Sequence, residues 1–327
     1  RYAAELGIHA AFTADPGFFA HDSNRWTIPR FIFGRDWSSP AELREILAAA
    51  QGARDLPRKA AMTEEAPTHA GHSASDEGFR ARFEMVPKCV AEWTGGVKGL
   101  DVLDFGCGEG ISALGLALDH EPRRVVGIDI GPDPERCLPI ARAQRGLAAL
   151  PDNLEFHRVQ PGFLHSADER FDVAYSWSVF EHVDQRLVGP TLELIRSSLK
   201  PGGLFLVQIA PLYYSPEGAH LFHRIPEPWV HLEIQHNALH EKLVAAVPDR
   251  KEFLTLWGTY RTLNRITVAE LQDHLRKADF EILRQWTQKD PRTPPERLRA
   301  IYQEDVLTTH QVMMLARPTH VPTKESP

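Results

Sequence analysis

The chain has 327 residues, 43% of them hydrophobic, and a formal net charge of −7. Its length allows one large domain or two smaller ones, and its hydrophobic content is ordinary for a globular protein. The acidic balance offers no basic surface for nucleic acid, and no apolar run is long enough to span a membrane. Three scattered cysteines are too few for a disulfide framework. We therefore expect a cytoplasmic protein whose partner is neither nucleic acid nor membrane, and the composition favours no particular oligomeric state.

Residues 1–50 form a unit of their own in the sequence, with two apolar runs typical of strands and then a helical run. The second run begins at the pair Pro29–Arg30, and this arrangement resembles the final strands and helix of a polysaccharide deacetylase domain. The alternative is an N-terminal lid of the domain that follows. The chain begins with Arg1 rather than Met, so we expect a piece of a longer protein, without deacetylase activity. Residues 51–77 lose apolar periodicity and are predicted to be a linker.

The loop between Gly106 and Gly110 is the most informative segment of the chain. It follows an apolar strand, precedes a helical pattern and carries a third glycine at Gly108. Glycines at a strand-to-helix turn let the backbone approach a ligand closely, with helix N–H groups pointing at it. A second apolar strand then ends at Asp129, where a carboxylate suits the hydroxyls of a ribose. These two segments predict a site for a nucleoside-bearing cofactor.

Two features of this loop indicate which cofactor it holds. The dinucleotide fingerprint has its third glycine at the position of Ile111, whereas here that glycine comes one residue early, at Gly110. Asp104 and Glu109 also place two acids at the loop. Negative charge disfavours a pyrophosphate and suits the ammonium and sulfonium groups of S-adenosylmethionine. The loop therefore predicts S-adenosylmethionine rather than NAD.

From residue 78 onward, strand and helix patterns alternate, which favours a parallel sheet covered on both faces. Gly202 and Gly203 are predicted to end the helix before the fifth strand, and Thr267 and Glu270 form a capping box that begins a later helix. The predicted strands are Asp101–Phe105, Arg124–Ile130, Leu154–Val159, Val173–Trp177, Leu204–Ala210, Phe280–Trp286 and Gln311–Ala316.

Residues 78–318 resemble the class I S-adenosylmethionine-dependent methyltransferases of the small-molecule type. The resemblance rests on five features in chain order: the Asp104–Gly110 loop, Asp129, Phe171–Asp172 before a strand, Glu181–Val183 after it, and Leu199–Gly203 before the next strand. It implies an α/β fold, a Rossmann-like doubly wound sheet of seven strands whose last strand is antiparallel. Residues 319–327 are then left as a disordered tail.

The resemblance implies a role for each residue of the glycine loop. Asp104 is expected to accept hydrogen bonds from the cofactor's ammonium group. Gly106 and Gly108 are expected to pass beneath its methionine part, where a side chain would collide with it. Gly110 completes the loop, and Cys107 is interpreted as a small residue that fills space rather than as a nucleophile.

The remaining cofactor contacts are expected at the ends of the next three strands. Asp129 has two oxygens for the two ribose hydroxyls, and Ile130 beside it is expected to lie against the adenine. Gln160 stands where the family usually has an acid facing the adenine amino group, and an amide oxygen can accept the same bond. Ser176 is expected to face the methionine end of the cofactor.

Methyl transfer to a hydroxyl requires a base, and in this architecture the acceptor lies beyond the ends of strands four and five. Residues 211–232, after strand five, are unusually dense in histidine and aromatic rings. His220 is the predicted base, followed by His223, His231 and His182; the alternative for each is a histidine bonded to backbone in a packed loop.

A metal is a further alternative. Related quinone-directed methyltransferases have an acid-and-histidine cluster after strand four, which Glu181 and His182 match in part, although Ser178 stands where another acid is expected. His220, His223 and His231 could also hold zinc, but no two of them have a metal-ligand spacing within one element, so we expect no metal.

The sequence thus predicts an enzyme that transfers a methyl group to a small-molecule or glycan acceptor, most simply at a hydroxyl. A sugar is favoured if residues 1–50 come from a glycan-modifying domain. One alternative is a methyltransferase-like domain that binds cofactor without turnover, although both glycines and both acids of the loop are retained. The other is an NAD-dependent oxidoreductase, which Ile111 disfavours.

Overall fold

A mixed sheet of seven strands runs through the centre of the chain, in the order β3-β2-β1-β4-β5-β7-β6. Strands β1 to β5 pair in parallel, whereas β7 is antiparallel to both β5 and β6. This confirms the predicted Rossmann-like sheet and its antiparallel last strand. The strands are β1 Asp101–Phe105, β2 Arg124–Asp129, β3 Leu154–Arg158, β4 Phe171–Trp177, β5 Leu199–Ile209, β6 Phe280–Lys289 and β7 Thr309–Pro318.

The computed structural model describes residues 76–131, 133–162 and 168–319. The predicted unit at 1–50, nearly all of the predicted linker and nearly all of the predicted tail lie outside these residues. Their boundaries, and the resemblance of the N-terminal unit to a deacetylase, stay predictions. Within the described residues, no helix combines the length and apolar character needed to cross a membrane.

Helices cover both faces of the sheet, as expected for parallel strands that are apolar on both sides. A π-helical turn (Ala81–Met85) joins the first two helices, and a 3₁₀ turn (Phe180–His182) follows β4. The α-helices are α1 Asp76–Arg80, α2 Val86–Thr94, α3 Ile111–Asp119, α4 Cys137–Arg145, α5 Gln185–Ser198, α6 Val230–Glu233, α7 His236–Ala246, α8 Arg250–Thr262, α9 Val268–Lys277, α10 Glu296–Arg299 and α11 Glu304–Thr308.

One local prediction is confirmed and another is wrong. The capping box of Thr267 and Glu270 begins α9, with both reciprocal bonds present. Gly202 and Gly203, however, do not end a helix, because α5 already ends at Ser198 and both glycines lie inside β5. The strand begins earlier than the apolar pattern indicates because Leu199, which is buried, already pairs with the first residue of β4.

The segment between β5 and α9 forms a small helical layer with its own hydrophobic cluster, which includes Leu239, Leu243 and Trp257. We call residues 211–264 the cover. Helix α8 begins at the cap residue Asp249, whose side chain accepts a hydrogen bond from a first-turn N–H.

The buried side chain of Asn264 ties the end of the cover to the 3₁₀ turn after β4. Its Nδ2 donates to the carbonyl oxygens of Phe180 at 2.6 Å and Val183 at 2.8 Å. Its backbone N–H donates to the carbonyl oxygen of Glu181 at 2.8 Å, and its Oδ1 accepts from the N–H of Ile266 at 3.0 Å. One amide side chain therefore fixes where the turn lies relative to the cover.

Replacing Asn264 by Ala should destabilise the protein by about 2 to 4 kcal/mol, because it leaves buried backbone groups without partners. Urea denaturation of the purified chain measures this loss. Asn237→Ala, at an exposed position of α7, is the matched control and should change stability by less than about 0.5 kcal/mol. Equal stability of the two variants would contradict the assigned role of Asn264.

Candidate active site

The loop after β1 turns sharply through three glycines with positive φ, which are +77° at Gly106, +53° at Gly108 and +73° at Gly110. A Cβ atom at Gly106 would lie 2.5 Å from a methyl carbon of Val179, and one at Gly110 would lie 2.3 Å from the ring of Phe156. A Cβ at Gly108 would meet no atom within 4 Å. The first and third glycines are therefore required by packing within the protein. The middle one borders open space, as a cradle for a ligand would.

Asp129, at the end of β2, holds this loop in place. Its Oδ2 accepts a hydrogen bond from the N–H of Gly108 at 2.9 Å, and its Oδ1 accepts from the N–H of Gly131 at 2.8 Å. Each carboxylate oxygen retains a second lone pair for a ligand hydroxyl. Ile130 follows with 60% of its surface exposed, which fits a flat apolar group lying against it. The ribose and adenine contacts expected of these two residues stay predictions.

Asp104 is buried under the loop and accepts a hydrogen bond from the hydroxyl of Tyr175 at 2.7 Å. Burial raises the pKa of Asp104 to about 7, with the charge of Asp129 raising it further and the bond from Tyr175 opposing both. A carboxyl group with a pKa of about 7 ionises readily near neutral pH when a cation binds beside it. No sequence pattern indicates Tyr175, since only the parallel pairing of β1 and β4 places it next to Asp104.

The other predicted cofactor residues lie at the ends of their strands in different environments. Cys107 is buried, and burial raises the pKa of its thiol well above the usual value, which agrees with a space-filling role. Ser176 is buried, and its hydroxyl has no hydrogen-bond partner among the described residues. Gln160 is exposed beyond the end of β3.

Glu109 lies in a different environment from the one that the sequence predicts. Glu109 does not present an isolated charge to the ligand, because it forms an ion pair with Arg136 in the 3₁₀ turn before α4. Asp104 and Asp129 therefore supply the negative charge at the loop. Glu109 and Arg136 are far apart in the sequence and come together only in the folded chain. The sequence alone therefore could not indicate this ion pair.

Glu181 and His182 of the 3₁₀ turn meet His220 of the cover just beyond the ends of β4 and β5. Each residue offers one carboxylate oxygen or ring nitrogen, and the three atoms lie within 4.8 Å of one another. The two imidazole rings meet edge to face, with centroids 5.2 Å apart. We call these residues the Glu–His group. It gives the described chain a set of donor atoms that could hold either a proton or a metal ion.

Burial changes the acidity of two members of the Glu–His group. It raises the pKa of Glu181 to about 8, while backbone N–H groups nearby partly offset the effect. It lowers the pKa of His220 to about 4, so this imidazole is neutral near pH 7. The sequence indicated Glu181 only as part of an acid-and-histidine cluster after strand four, because nothing in a single sequence shows that it meets a histidine of the cover.

The hydrogen bonds of the two histidines define their neutral tautomers. Nε2 of His220 lies 3.2 Å from the carbonyl oxygen of Pro211, which can only accept, so Nε2 carries the proton and Nδ1 a lone pair. Nδ1 of His182 lies 3.1 Å from the hydroxyl of Thr262. That hydroxyl already donates to the carbonyl oxygen of Thr259 at 2.8 Å. Nδ1 of His182 is therefore the donor, and its Nε2 carries a lone pair.

Two other histidines considered in the sequence lie outside the Glu–His group. His223 is exposed. His231 is buried, and its Nε2 lies 2.6 Å from the carbonyl oxygen of Tyr213, so it is bonded to backbone within the cover. For His231, the structure thus shows the alternative to a base, which is a histidine bonded to backbone in a packed loop.

The Glu–His group and the glycine loop are neighbours. The side chain of Val179 leaves no room for a Cβ atom at position 106. Val179 lies two residues before Glu181 in the sequence. Ser178 is fixed in turn by Gln208 at the end of β5, whose Oε1 accepts from its N–H at 2.9 Å and from its hydroxyl at 3.0 Å. The ends of β1, β4 and β5 thus bring a ligand cradle and a cluster of proton-accepting groups together.

A model of the methyltransferase domain family matches residues 80–285. The chain belongs to this family of S-adenosylmethionine-dependent methyltransferases. Its cofactor is accordingly S-adenosylmethionine. The residues fit that compound, because Gly108 borders open space, Asp129 has lone pairs for hydroxyls and the Asp104 carboxyl can face an ammonium group.

Curated relatives match the chain over about a third of its length. A protein named "Ubiquinone biosynthesis O-methyltransferase" from Cereibacter sphaeroides is 36% identical over 112 residues, which is 33% of this chain and 40% of the relative. A protein of the same name from Salmonella arizonae is 37% identical over 119 residues, or 35% of this chain and 44% of the relative. The match therefore spans less than half the length of these relatives.

Solved structures resemble the chain more broadly but at low identity. An S-adenosylmethionine-dependent methyltransferase from Mesorhizobium loti has a TM-score of 0.43 and 21% identity, covering 71% of this chain and 99% of that one. A magnesium protoporphyrin IX methyltransferase from Synechocystis PCC 6803 has a TM-score of 0.45 and 16% identity, covering 73% of this chain and 84% of that one. The fold assignment rests on the strand order itself.

The raised pKa of Asp104 predicts that cofactor binding depends on pH. Its pKa is about 7, and only the ionised form attracts an ammonium group, so affinity should be full above pH 8 and fall as pH drops through 7. Calorimetric titration with S-adenosylhomocysteine should give an affinity about tenfold lower at pH 6 than at pH 8.

Two variants control for other titrating groups. Asp104→Asn should bind more weakly at pH 8 and lose most of the dependence between pH 6 and 8. Tyr175→Phe removes the bond that favours the carboxylate, so its affinity should begin to fall at a higher pH. Equal wild-type affinity at the two pH values would refute the assignment.

Proposed function

We propose that this protein transfers the methyl group of S-adenosylmethionine to a hydroxyl of a small-molecule acceptor bound at the Glu–His group. The observation that carries the proposal is the position of that group directly beyond the cofactor loop, two residues from the Val179 contact. Support also comes from the curated relatives, whose printed names describe O-methyltransferases. A hydroxyl acceptor requires removal of a proton, and the Glu–His group is where proton acceptors are concentrated.

The cofactor defines what the protein must do. S-adenosylmethionine supplies a methyl carbon on a sulfonium, so attack by an acceptor oxygen releases a neutral thioether and needs no general acid. The protein's task is then to align the acceptor, exclude water and accept the hydroxyl proton. Gly108 and Asp129 would hold the cofactor, and the cover would exclude water from the acceptor.

His220 is the favoured proton acceptor. Its Nε2–H is directed to the carbonyl oxygen of Pro211, which orients the ring and leaves Nδ1 with a lone pair to accept a proton. His182 supplies a second lone pair in the group, and its ring is oriented by Thr262 at the end of α8. A hydroxyl that approached either ring at its lone-pair nitrogen would meet a base.

The cover supplies an acceptor surface rich in aromatic rings. Tyr213 and Tyr214 of the cover and Tyr302, which follows α10, lie in successive ring contacts with centroids 5.2–5.3 Å apart. Such rings suit either a phenolic acceptor or the apolar face of a sugar. A phenol or another small hydroxyl compound is the simpler proposal, because a sugar is favoured only by the resemblance of residues 1–50, which lie outside the described part of the chain.

His220→Ala should lower turnover by about 10²- to 10³-fold while leaving the affinity for S-adenosylhomocysteine unchanged, because His220 touches the acceptor side alone. Turnover is measured as S-adenosylhomocysteine formed in the presence of a panel of phenols, nucleotide sugars and oligosaccharides. His223→Ala, on the same segment but outside the Glu–His group, should retain turnover within about twofold.

Each possible result bears on a separate part of this proposal. Undiminished turnover in His220→Ala would contradict its role at the acceptor. Turnover with sugars alone would replace the phenol by a glycan acceptor, and methylation of amines alone would refute a hydroxyl acceptor. Retained affinity for S-adenosylhomocysteine shows in every variant that the fold is intact.

A further inference from the structure

Arg265, directly after the cover, has a backbone conformation that arginine rarely adopts. Its φ is +62°, in the left-handed region that favours glycine. Its two neighbours, Asn264 and Ile266, are buried, and the N–H of Asn264 donates to the carbonyl oxygen of Glu181. Residues held in such conformations are concentrated at functional sites, where the surrounding structure fixes them. Buried neighbours thus hold the backbone of Arg265 in place, whereas the residue itself is exposed.

The guanidinium of Arg265 lies over the ring of Tyr213, with its central carbon 5.0 Å from the ring centroid. The negative face of the ring attracts the guanidinium, whose N–H donors can still bind another group. Among the described residues, no carboxylate forms an ion pair with Arg265 and no group accepts a hydrogen bond from its side chain. The carboxylate nearest in sequence, Glu270, instead accepts from the N–H and the hydroxyl of Thr267, at 2.8 and 2.9 Å. The positive charge of Arg265 is therefore available to a bound anion.

His231 contacts the same tyrosine ring and has a polar atom without a partner. Its ring meets that of Tyr213 edge to face, with centroids 4.9 Å apart, and its Nε2 donates to the carbonyl oxygen of Tyr213. Burial lowers the pKa of His231 to about 4, and the charges of His220 and Arg265 contribute to this, so the imidazole is neutral near pH 7. Its Nδ1 then carries a lone pair, which is buried and accepts no hydrogen bond from the described residues. An unpartnered buried acceptor is unfavourable unless a ligand or a water molecule supplies a donor.

This pair of side chains adjoins the Glu–His group. Arg265 follows Asn264, whose N–H lies 2.8 Å from the carbonyl oxygen of Glu181. Tyr213 belongs to the segment whose carbonyl oxygen at position 211 orients the ring of His220 at 3.2 Å. The two segments that carry the guanidinium and the tyrosine ring thus also hold members of the Glu–His group. One small molecule can therefore contact both places.

We propose that Arg265 binds a carboxylate or phosphate group of the acceptor beside the ring of Tyr213, while the reacting hydroxyl lies at the Glu–His group. The inference rests on the proposed function, because it names the class of hydroxyl compound which that site takes. The planar fork of a guanidinium matches two oxygens of a carboxylate or a phosphate. A hydroxyl beside the anionic group supplies the donor that Nδ1 of His231 lacks. Arg265 then determines specificity for acidic acceptors without touching the reacting atoms.

The test compares charged with uncharged probes by calorimetric titration of the full chain saturated with S-adenosylhomocysteine. Hydroxybenzoate is paired with hydroxybenzamide, and a hexose phosphate with the free hexose, so the two pairs distinguish a carboxylate from a phosphate. The charged member of at least one pair should bind at least about tenfold more tightly. Arg265→Gln should reduce this preference to less than about twofold, and Arg265→Lys should retain only part of it. Arg250→Gln, at an exposed arginine of α8, is the matched control and should retain the full preference.

The anion site and the proposed function fail in different ways. Equal binding of charged and uncharged probes by the wild type, or an undiminished preference in Arg265→Gln, would overturn the anion site, and methylation of an uncharged hydroxyl compound in the same samples would still support the function. A preference that depends on Arg265, without methylation of any hydroxyl, would support the anion site and contradict the function. Unchanged affinity of Arg265→Gln for S-adenosylhomocysteine shows that a lost preference does not come from misfolding.

Kinetics give a second readout. With a charged acceptor that is methylated, Arg265→Gln should raise KM more than it lowers kcat, because the anionic group lies away from the reacting hydroxyl. A loss confined to kcat would overturn the assignment of Arg265 to acceptor binding.

Discussion

The contact between Gly106 and Val179 is the constraint on which the arrangement of this site depends. The loops that follow the adjacent parallel strands β1 and β4 meet here, and a Cβ atom at Gly106 would lie only 2.5 Å from a methyl carbon of Val179. Asp129 fixes one side of the contact through the N–H of Gly108, and Asn264 fixes the other through the turn that carries Glu181. The cofactor cradle and the acceptor groups therefore have a defined separation.

Electrostatics complements this geometry. The loop presents Asp104 and Asp129, while the acid of Glu109 is neutralised by Arg136, so negative charge is concentrated where a cationic cofactor would bind. Beyond Val179, the buried carboxyl of Glu181, whose oxygens have no hydrogen-bond partner among the described residues, is a second place that favours a proton or positive charge. A cofactor with an ammonium and a sulfonium group suits the first place, and a proton or a metal ion suits the second.

Much of the fold was predictable from the sequence because its signals are local. The apolar run of β1 has the predicted bounds Asp101–Phe105, and the capping box at Thr267 lies within four residues. The start of β5 was missed because Leu199 is held by its pairing with Phe171 across the sheet, not by its neighbours in sequence. A glycine pair that ordinarily follows a helix is thus found within a strand.

Of the candidate site, only the residues that bind the cofactor were predictable from the sequence. The glycines and Asp129 carry a spacing that sequence analysis can recognise, and the structure brings them together at one loop. Tyr175 and Glu181 gain their importance from partners distant in sequence, namely Asp104 across the sheet and His220 in the cover. Histidines of the cover could be identified as a group, but their hydrogen bonds alone separate His220 from the backbone-bonded His231.

The most direct test of the central constraint compares Gly106→Ala with the double variant Gly106→Ala/Val179→Ala by calorimetric titration with S-adenosylhomocysteine. Both variants carry the strain of a positive φ at alanine, about 1–2 kcal/mol, but only the single variant also displaces Val179 and the turn after it. The account predicts that the single variant loses most of its affinity and that the second substitution restores a measurable part of it. Wild-type affinity in the single variant would contradict it.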